Sequence, residues 1–147
     1  MDLVISGLPV GFGEPWFEGI EPALARALMA IPAARAVEFG RGVNAGLMRG
    51  SKHNDKWGED MSLDEGADGA LGGMASGAPI HVRVTFKPPS GISKPQETFN
   101  QVTGMMEELA IKGRHDPVIA PRARPVVEAV ARLVIADLGI QGGYIDG

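Results

Sequence analysis

Apolar and polar residues alternate most cleanly in Ile80-His81-Val82-Arg83-Val84-Thr85-Phe86, where every second side chain is aliphatic or aromatic. A period of two puts one set of side chains on each face of a pleated strand, so this segment predicts a half-buried β-strand. Asp2 to Ser6 predicts a second strand, closed by Gly7-Leu8-Pro9, and Ala36 to Phe39 a third. Leu24, Leu28 and Ile31 recur at spacings of four and three, which gives a helix one apolar face. That helix should begin near Glu21-Pro22, proline being suited to the first turn, and end at Pro32. A longer stripe, Val126, Val130, Leu133, Val134 and Leu138, predicts a second helix starting at Pro125 and stopping at Gly139. Between the last two patterns, residues 92–108 show no clear period, and a short strand is expected near Leu109-Ala110-Ile111. The tail from Gln141 to Gly147 is expected to fray. Strands interleaved with two substantial helices make an α+β domain, with helices packed against an antiparallel sheet.

Composition changes this picture in one stretch. Residues 40–77 hold ten of the chain's 21 glycines, and Glu59, Asp60, Asp64, Glu65 and Asp68 follow one another without a basic residue. Residues 51–68 are accordingly read as a mobile, solvated loop. At 147 residues the chain fits one domain. A net charge of -4 argues against a nucleic-acid partner, which would demand a basic face. Without cysteine there is no disulfide, thiolate nucleophile or Cys-ligated zinc. Met1-Asp2-Leu3 lacks the basic start of a secretory signal, and Glu128, Arg132 and Asp137 interrupt the most apolar run, so a cytoplasmic, non-membrane protein is expected. A chain that starts directly inside a strand is also expected to belong to a longer architecture.

Chemistry-bearing residues concentrate in Lys112-Gly113-Arg114-His115-Asp116-Pro117, where a guanidinium, an imidazole and a carboxylate stand in a row. Pro117 holds itself and Asp116 extended, and Arg122 and Arg124 follow. A fixed cationic loop suits a phosphate-bearing ligand, because Arg presents a planar fork of donors. Other signatures fail. Gly66-x-x-Gly69-x-x-Gly72-Gly73 lacks the start of a dinucleotide fingerprint, and Lys52 does not directly follow the glycine that a P-loop requires. His53, His81 and His115 lack metal-ligand spacing, and no G-x-S-x-G elbow occurs. The turns at Pro32-Ala33, Gly72-Gly73 and Lys87 to Gly91 each offer backbone N–H groups or a cation to an anion.

Taken in order, these turns resemble the second half of chorismate synthase. The match runs through Gly7-Leu8-Pro9-Val10-Gly11-Phe12-Gly13-Glu14-Pro15, Ile31-Pro32-Ala33 and Val37-Glu38-Phe39-Gly40. It continues through Gly50-Ser51-Lys52-His53-Asn54-Asp55, Leu71-Gly72-Gly73, Lys87-Pro88-Pro89-Ser90 and Lys112 to Pro117. The resemblance implies a homotetrameric, cytoplasmic lyase of the shikimate pathway of aromatic amino acid biosynthesis, with helices sandwiched between antiparallel sheets. Such an enzyme eliminates phosphate from 5-enolpyruvylshikimate 3-phosphate in a 1,4-anti sense to give chorismate, and requires reduced FMN without net redox change. The flavin contacts it implies here are Pro32, Ala33, Gly72, Lys87, Pro88, Pro89, Ser90, Gly91 and Arg114, with Asp116 as the carboxylate that handles protons near the isoalloxazine.

Two departures qualify what the resemblance implies. The family's first half, with its Gly-Glu-Ser-His-Gly motif, a second essential histidine and a further flavin segment, has no counterpart in these 147 residues. Asp64-Glu65-Gly66 stands where the family has neutral amides, and Pro89 and Gly91 replace a Thr and a Ser, removing two hydroxyl donors. Carboxylates beside an anionic cofactor weaken its binding by like-charge repulsion. The chain is thus expected to act as the FMN-side half of such an enzyme, inactive without the missing half. The alternative is a non-catalytic interaction module that keeps the fold.

Overall fold

The computed structural model describes residues 1–59 and 68–146. Three antiparallel strands, β1 (Asp2–Ile5), β2 (Ala34–Phe39) and β5 (Ile80–Phe86), form the main sheet in the order β1-β5-β2. The alternation in β5 is realised directly: Ile80, Val82 and Val84 are buried, while His81, Arg83 and Thr85 face outward. On the outer face Arg83 pairs with Asp2 at 2.7 Å across the strands. That guanidinium holds the Asp2 carboxyl below the usual carboxylate range.

Two helices cover the inner face, α1 (Ile20–Met29) and α3 (Ala120–Gln141). Ile20, Leu24 and Leu28 from α1 meet Val127, Ala131 and Leu138 from α3 over the β5 aliphatics and Phe12. Each fully buried aliphatic side chain contributes about 1.5–3 kcal/mol, so this seam carries most of the fold's stability. Within α1, Pro22 occupies the first turn, where a missing N–H costs nothing. The Ile20 N–H is instead satisfied by the Gly73 carbonyl at 2.9 Å.

Gly73 belongs to a small hairpin of β3 (Ala70–Leu71) and β4 (Met74–Ala75). Its two-residue turn, Gly72-Gly73, has φ of 62° and 98°, the all-positive geometry of a tight hairpin turn. A short helix, α2 (Gly50–His53), precedes it. Residues 60–67, the middle of the loop read at 51–68, lie outside the described residues, whereas residues 51–53 of that loop belong to helix α2.

Glu21 is half-buried beside Asp68, and burial first, then the neighbouring carboxylate, push its carboxyl above the usual range. The folded state therefore holds that proton more tightly than the unfolded chain. Stability is fully retained below the unfolded pKa and falls as pH rises towards the folded one. Glu21→Gln is expected to melt at a higher temperature than wild type at pH 8, with the gap closing by pH 4. Equal melting temperatures at both pH values would remove Glu21 from the account.

Three elements differ from the expectations above. Residues 92–109 form a projecting hairpin of β6 (Gln96–Asn100) and β7 (Met105–Leu109), where only a late short strand was expected. Helix α3 starts five residues before Pro125, because Pro121 takes the early-helix position and Pro125 is carried inside. Gly139 does not stop α3. It is buried, and its missing side chain admits Ile145 and the Phe12 ring.

Past Gln141, where fraying was expected, Gly143 turns left-handed at φ 71°. The Tyr144 N–H then reaches the Gly139 carbonyl and the Gly143 N–H reaches the Ile140 carbonyl, a Schellman cap. Tyr144 is thereby laid against Phe12 with ring centroids 5.0 Å apart.

Candidate functional site

The end of the sheet where β5 stops and β2 begins collects most of the expected site. Ala34 pairs with Phe86 across the strands, so the turn before β2 and the loop after β5 are neighbours by register. The Lys87 N–H donates to the Ala33 carbonyl at 3.0 Å. Ala33 itself is left-handed, with φ 71°, a conformation that a non-glycine residue holds only when its surroundings fix it. Pro32 and Ala33 thus form a fixed backbone ledge beside Lys87.

Along the loop from Lys87, Gly91 comes beside His115: a Cβ added at Gly91 would lie 3.6 Å from His115 Nδ1. That is ordinary van der Waals contact, so packing does not exclude a Cβ at position 91. The other ring nitrogen, Nε2, lies 3.2 Å from the Ile111 carbonyl and donates to it when protonated. That contact fixes the segment carrying Arg114 and Asp116. Asp116 sits between two guanidinium groups, Arg114 at 3.3 Å and Arg122 at 2.5 Å. Arg122 lies in the first turn of α3 and is the firmer partner. Arg114 leaves 82% of its side chain exposed, so its remaining donors are open to an incoming anion.

Pro32-Ala33 and Lys87 thus meet at the end of the sheet, and the loop from Lys87 leads through the Gly91–His115 contact to the segment carrying Arg114 and Asp116. Gly72 is not among them. Its hairpin abuts the first residue of α1, whereas Pro32 follows the last turn of that helix. Ten helical residues separate the two ends, about 15 Å at 1.5 Å per residue. Sequence reasoning missed the part Arg122 plays as the clamp on Asp116, because a helix begun at Pro125 leaves Arg122 in a loop. It also missed His115 as the contact that joins two of the segments.

Among the described residues, no three His, Cys, Asp or Glu side chains group to hold a metal ion. His81 faces outward on β5, and His53 lies 3.6 Å from Asp68. No helix among the described residues is long and apolar enough to cross a membrane.

The family model described as Chorismate synthase matches residues 1–140. The chain belongs to the chorismate synthase family. A chorismate synthase of Methanosarcina mazei is 44% identical over 150 residues, which is 99% of this chain and 41% of that protein. One from Aeropyrum pernix is 46% identical over 142 residues, covering 94% of this chain and 37% of its own length. A crystal structure of chorismate synthase superposes with a TM-score of 0.71 at 28% identity, over 96% of this chain and 37% of that one. The chain thus spans about two-fifths of the length of the chorismate synthases it matches.

Proposed function

We propose that the chain forms the flavin-side wall of a chorismate synthase active site, completed by the part of the family fold that its 147 residues do not match. The observation that carries this reading is the run of contacts that starts at the end of the sheet, Ala33 with Lys87, and continues through Gly91 and His115 to the Arg114–Asp116 segment. That run presents what an anionic, electron-rich ligand needs: an open guanidinium, a lysine and a rigid backbone ledge. The substrate in this reading is 5-enolpyruvylshikimate 3-phosphate. Its C–O bond to phosphate breaks as a C–H proton is lost at the far end of the allylic system, and a second double bond forms.

Reduced FMN, when bound, would supply an electron-rich ring to the elimination. The chain's own residues position it. Pro32, Ala33 and the Lys87–Gly91 loop line it, and Arg114 takes a share of its charge. Asp116, held by Arg122, is the carboxylate available to accept or return a proton. Gly72 enters this reading as a second, separate contact from the other end of α1. The set fits a flavin incompletely at two positions, since Pro89 and Gly91 offer no hydroxyl donor. The assembly is a cytoplasmic homotetramer in this reading.

The outer side of α3 supports the need for more of the fold. Besides its buried stripe the helix exposes a second one, Val126, Leu133 and Ile140, at seven-residue spacing. A helix on a protein surface carries a single apolar stripe, so this second one calls for cover. The isolated chain is expected to self-associate in sedimentation across a concentration series. A monomer at every concentration would remove this support.

The direct test is phosphate release with chemically reduced FMN under anaerobic conditions. The chain alone should give none, and the chain assembled with the remaining portion of the Methanosarcina mazei relative should reach an ordinary enzymatic rate, on the order of 1 s⁻¹ or more. Turnover by the chain alone, or an assembled protein that binds no flavin, would sink the reading. Flavin binding without turnover would favour the interaction module.

A further inference from the structure

Strand β1 has β5 on one side and, among the described residues, no strand on the other. Met1 and Val84 exchange both backbone hydrogen bonds, at 3.1 and 2.9 Å. In an antiparallel pair such bonding alternates, so Leu3 opposite Val82 and Ile5 opposite Ile80 also face β5. Asp2 and Val4 therefore turn their N–H and C=O groups to the open edge. That edge is not open to bulk water alone. Beside it runs a trough of about 890 Å³, lined by Leu3, Ile5 and Leu8 on one side and Val127, Ala131 and Ile135 of α3 on the other.

We infer that this trough takes an added β-strand, hydrogen-bonded to Asp2 and Val4 and supplied by the part of the family fold that the relatives carry beyond this chain's match. The dimensions agree. Trough-lining residues of α3 run from Arg124 to Ala136, about 18 Å at 1.5 Å per residue. Five residues of extended chain span about 17 Å. A strand there satisfies the edge through its backbone and the trough through alternate apolar side chains, the mode by which sheets recruit peptides.

Charge adds a requirement on the incoming strand. Asp2 is taken by Arg83, and Arg124 by Glu128 at 3.2 Å. Arg132, also lining the trough, has no ion pair among the described residues and offers its guanidinium to a carboxylate on the incoming segment. The source follows from length: three-fifths of the Methanosarcina mazei protein has no match here. A second copy of this chain is the competing occupant of the same edge.

This inference rests on the family membership and not on the flavin assignment, which the phosphate-release and flavin assays test separately. Its own experiment co-expresses the chain with the remaining portion of the Methanosarcina mazei relative as a separate polypeptide. Val4→Pro removes an edge donor without cutting the ladder to β5, since proline is tolerated where the N–H faces away from the sheet. The isolated variant should keep the wild-type circular dichroism and melting temperature, while Leu3→Pro, which cuts the ladder, should not.

The expected result is a complex with wild type, at least tenfold less of it with Val4→Pro, and a loss with Arg132→Glu. The Asp2 and Val4 amides should exchange rapidly in the free chain and slowly in the complex. The inference is overturned by no complex with wild type, by equal complex with Val4→Pro, or by amides at 2 and 4 that stay fast in the complex. Protection of the same amides by self-association of the free chain would overturn it too, by assigning the edge to a second copy.

Discussion

Gly73→Ala is expected to cost about 3–4 kcal/mol of stability, whereas Gly72→Ala, one residue away, should cost only about 1 kcal/mol. Both glycines are left-handed, so both substitutions carry the conformational penalty of a side chain at positive φ. They differ in what the new methyl group meets. At Gly72 it finds nothing within 4 Å. At Gly73 it lies 2.5 Å from the Glu14 carbonyl oxygen and 3.1 Å from the Gly19 Cα, and these are backbone atoms that cannot swing away. Gly19 answers with the same constraint, since a Cβ there would lie 2.6 Å from the Gly73 Cα.

The damage would not stay in the turn. The Gly73 carbonyl accepts the first N–H of α1, and Ile20 and Leu24 from that helix are fully buried in the core. Moving Gly73 therefore loosens α1 against the sheet. Urea unfolding followed by circular dichroism reads both variants. Equal losses would show that backbone conformation alone, without the close approach, sets the cost, and the structural reading of Gly73 would fall. Gly72 is set by its left-handed turn conformation alone, since a Cβ there would meet open space.

What the sequence discloses of this fold follows how strongly each segment's own chemistry dictates its structure. The strict alternation of Ile80 to Phe86 leaves one half-buried arrangement, and the spacing of Leu24 and Leu28 one helical face. Residues 96–109 were illegible because their hairpin is not selected by burial. Glu97 stands opposite Glu108 and Phe99 opposite Met106, and nearly every side chain is exposed. No buried face imposes a period on such a ribbon. The start of α3 was misplaced because two prolines compete for one signal, and only tertiary packing decides that Pro121 takes it. At the candidate site the motifs single out residues, but nothing in the sequence says which of them meet. The approach of Ala33 to Lys87 is a consequence of strand register, and that of Gly91 to His115 a consequence of loop path.

Arg114→Ala, in the assembled protein, is expected to weaken FMN binding by roughly 1.5–3 kcal/mol, the range for a charge-assisted hydrogen bond. That corresponds to about ten- to a hundredfold in affinity. The geometry sharpens the choice of control. Arg124 is as cationic and nearly as exposed, but it is paired with Glu128 along α3 and lines the trough beside β1. Arg124→Ala should therefore change flavin affinity by less than about threefold, the scale of an exposed pair.

Asp116→Asn separates two ways in which Arg114 can matter. If the carboxylate holds Arg114 in place, Asn weakens flavin binding along with it. If Arg122 is the main partner of Asp116, as the shorter contact indicates, Asn leaves affinity nearly unchanged and lowers turnover instead. The second outcome is the expected one, because Arg114 keeps most of its surface open and needs no partner to reach a ligand. Flavin fluorescence titrations at fixed salt compare the three variants, since exposed charges are screened. Equal weakening by Arg114→Ala and Arg124→Ala would mean a diffuse positive field in place of one positioned guanidinium, and Arg114 would lose its assignment as a flavin contact.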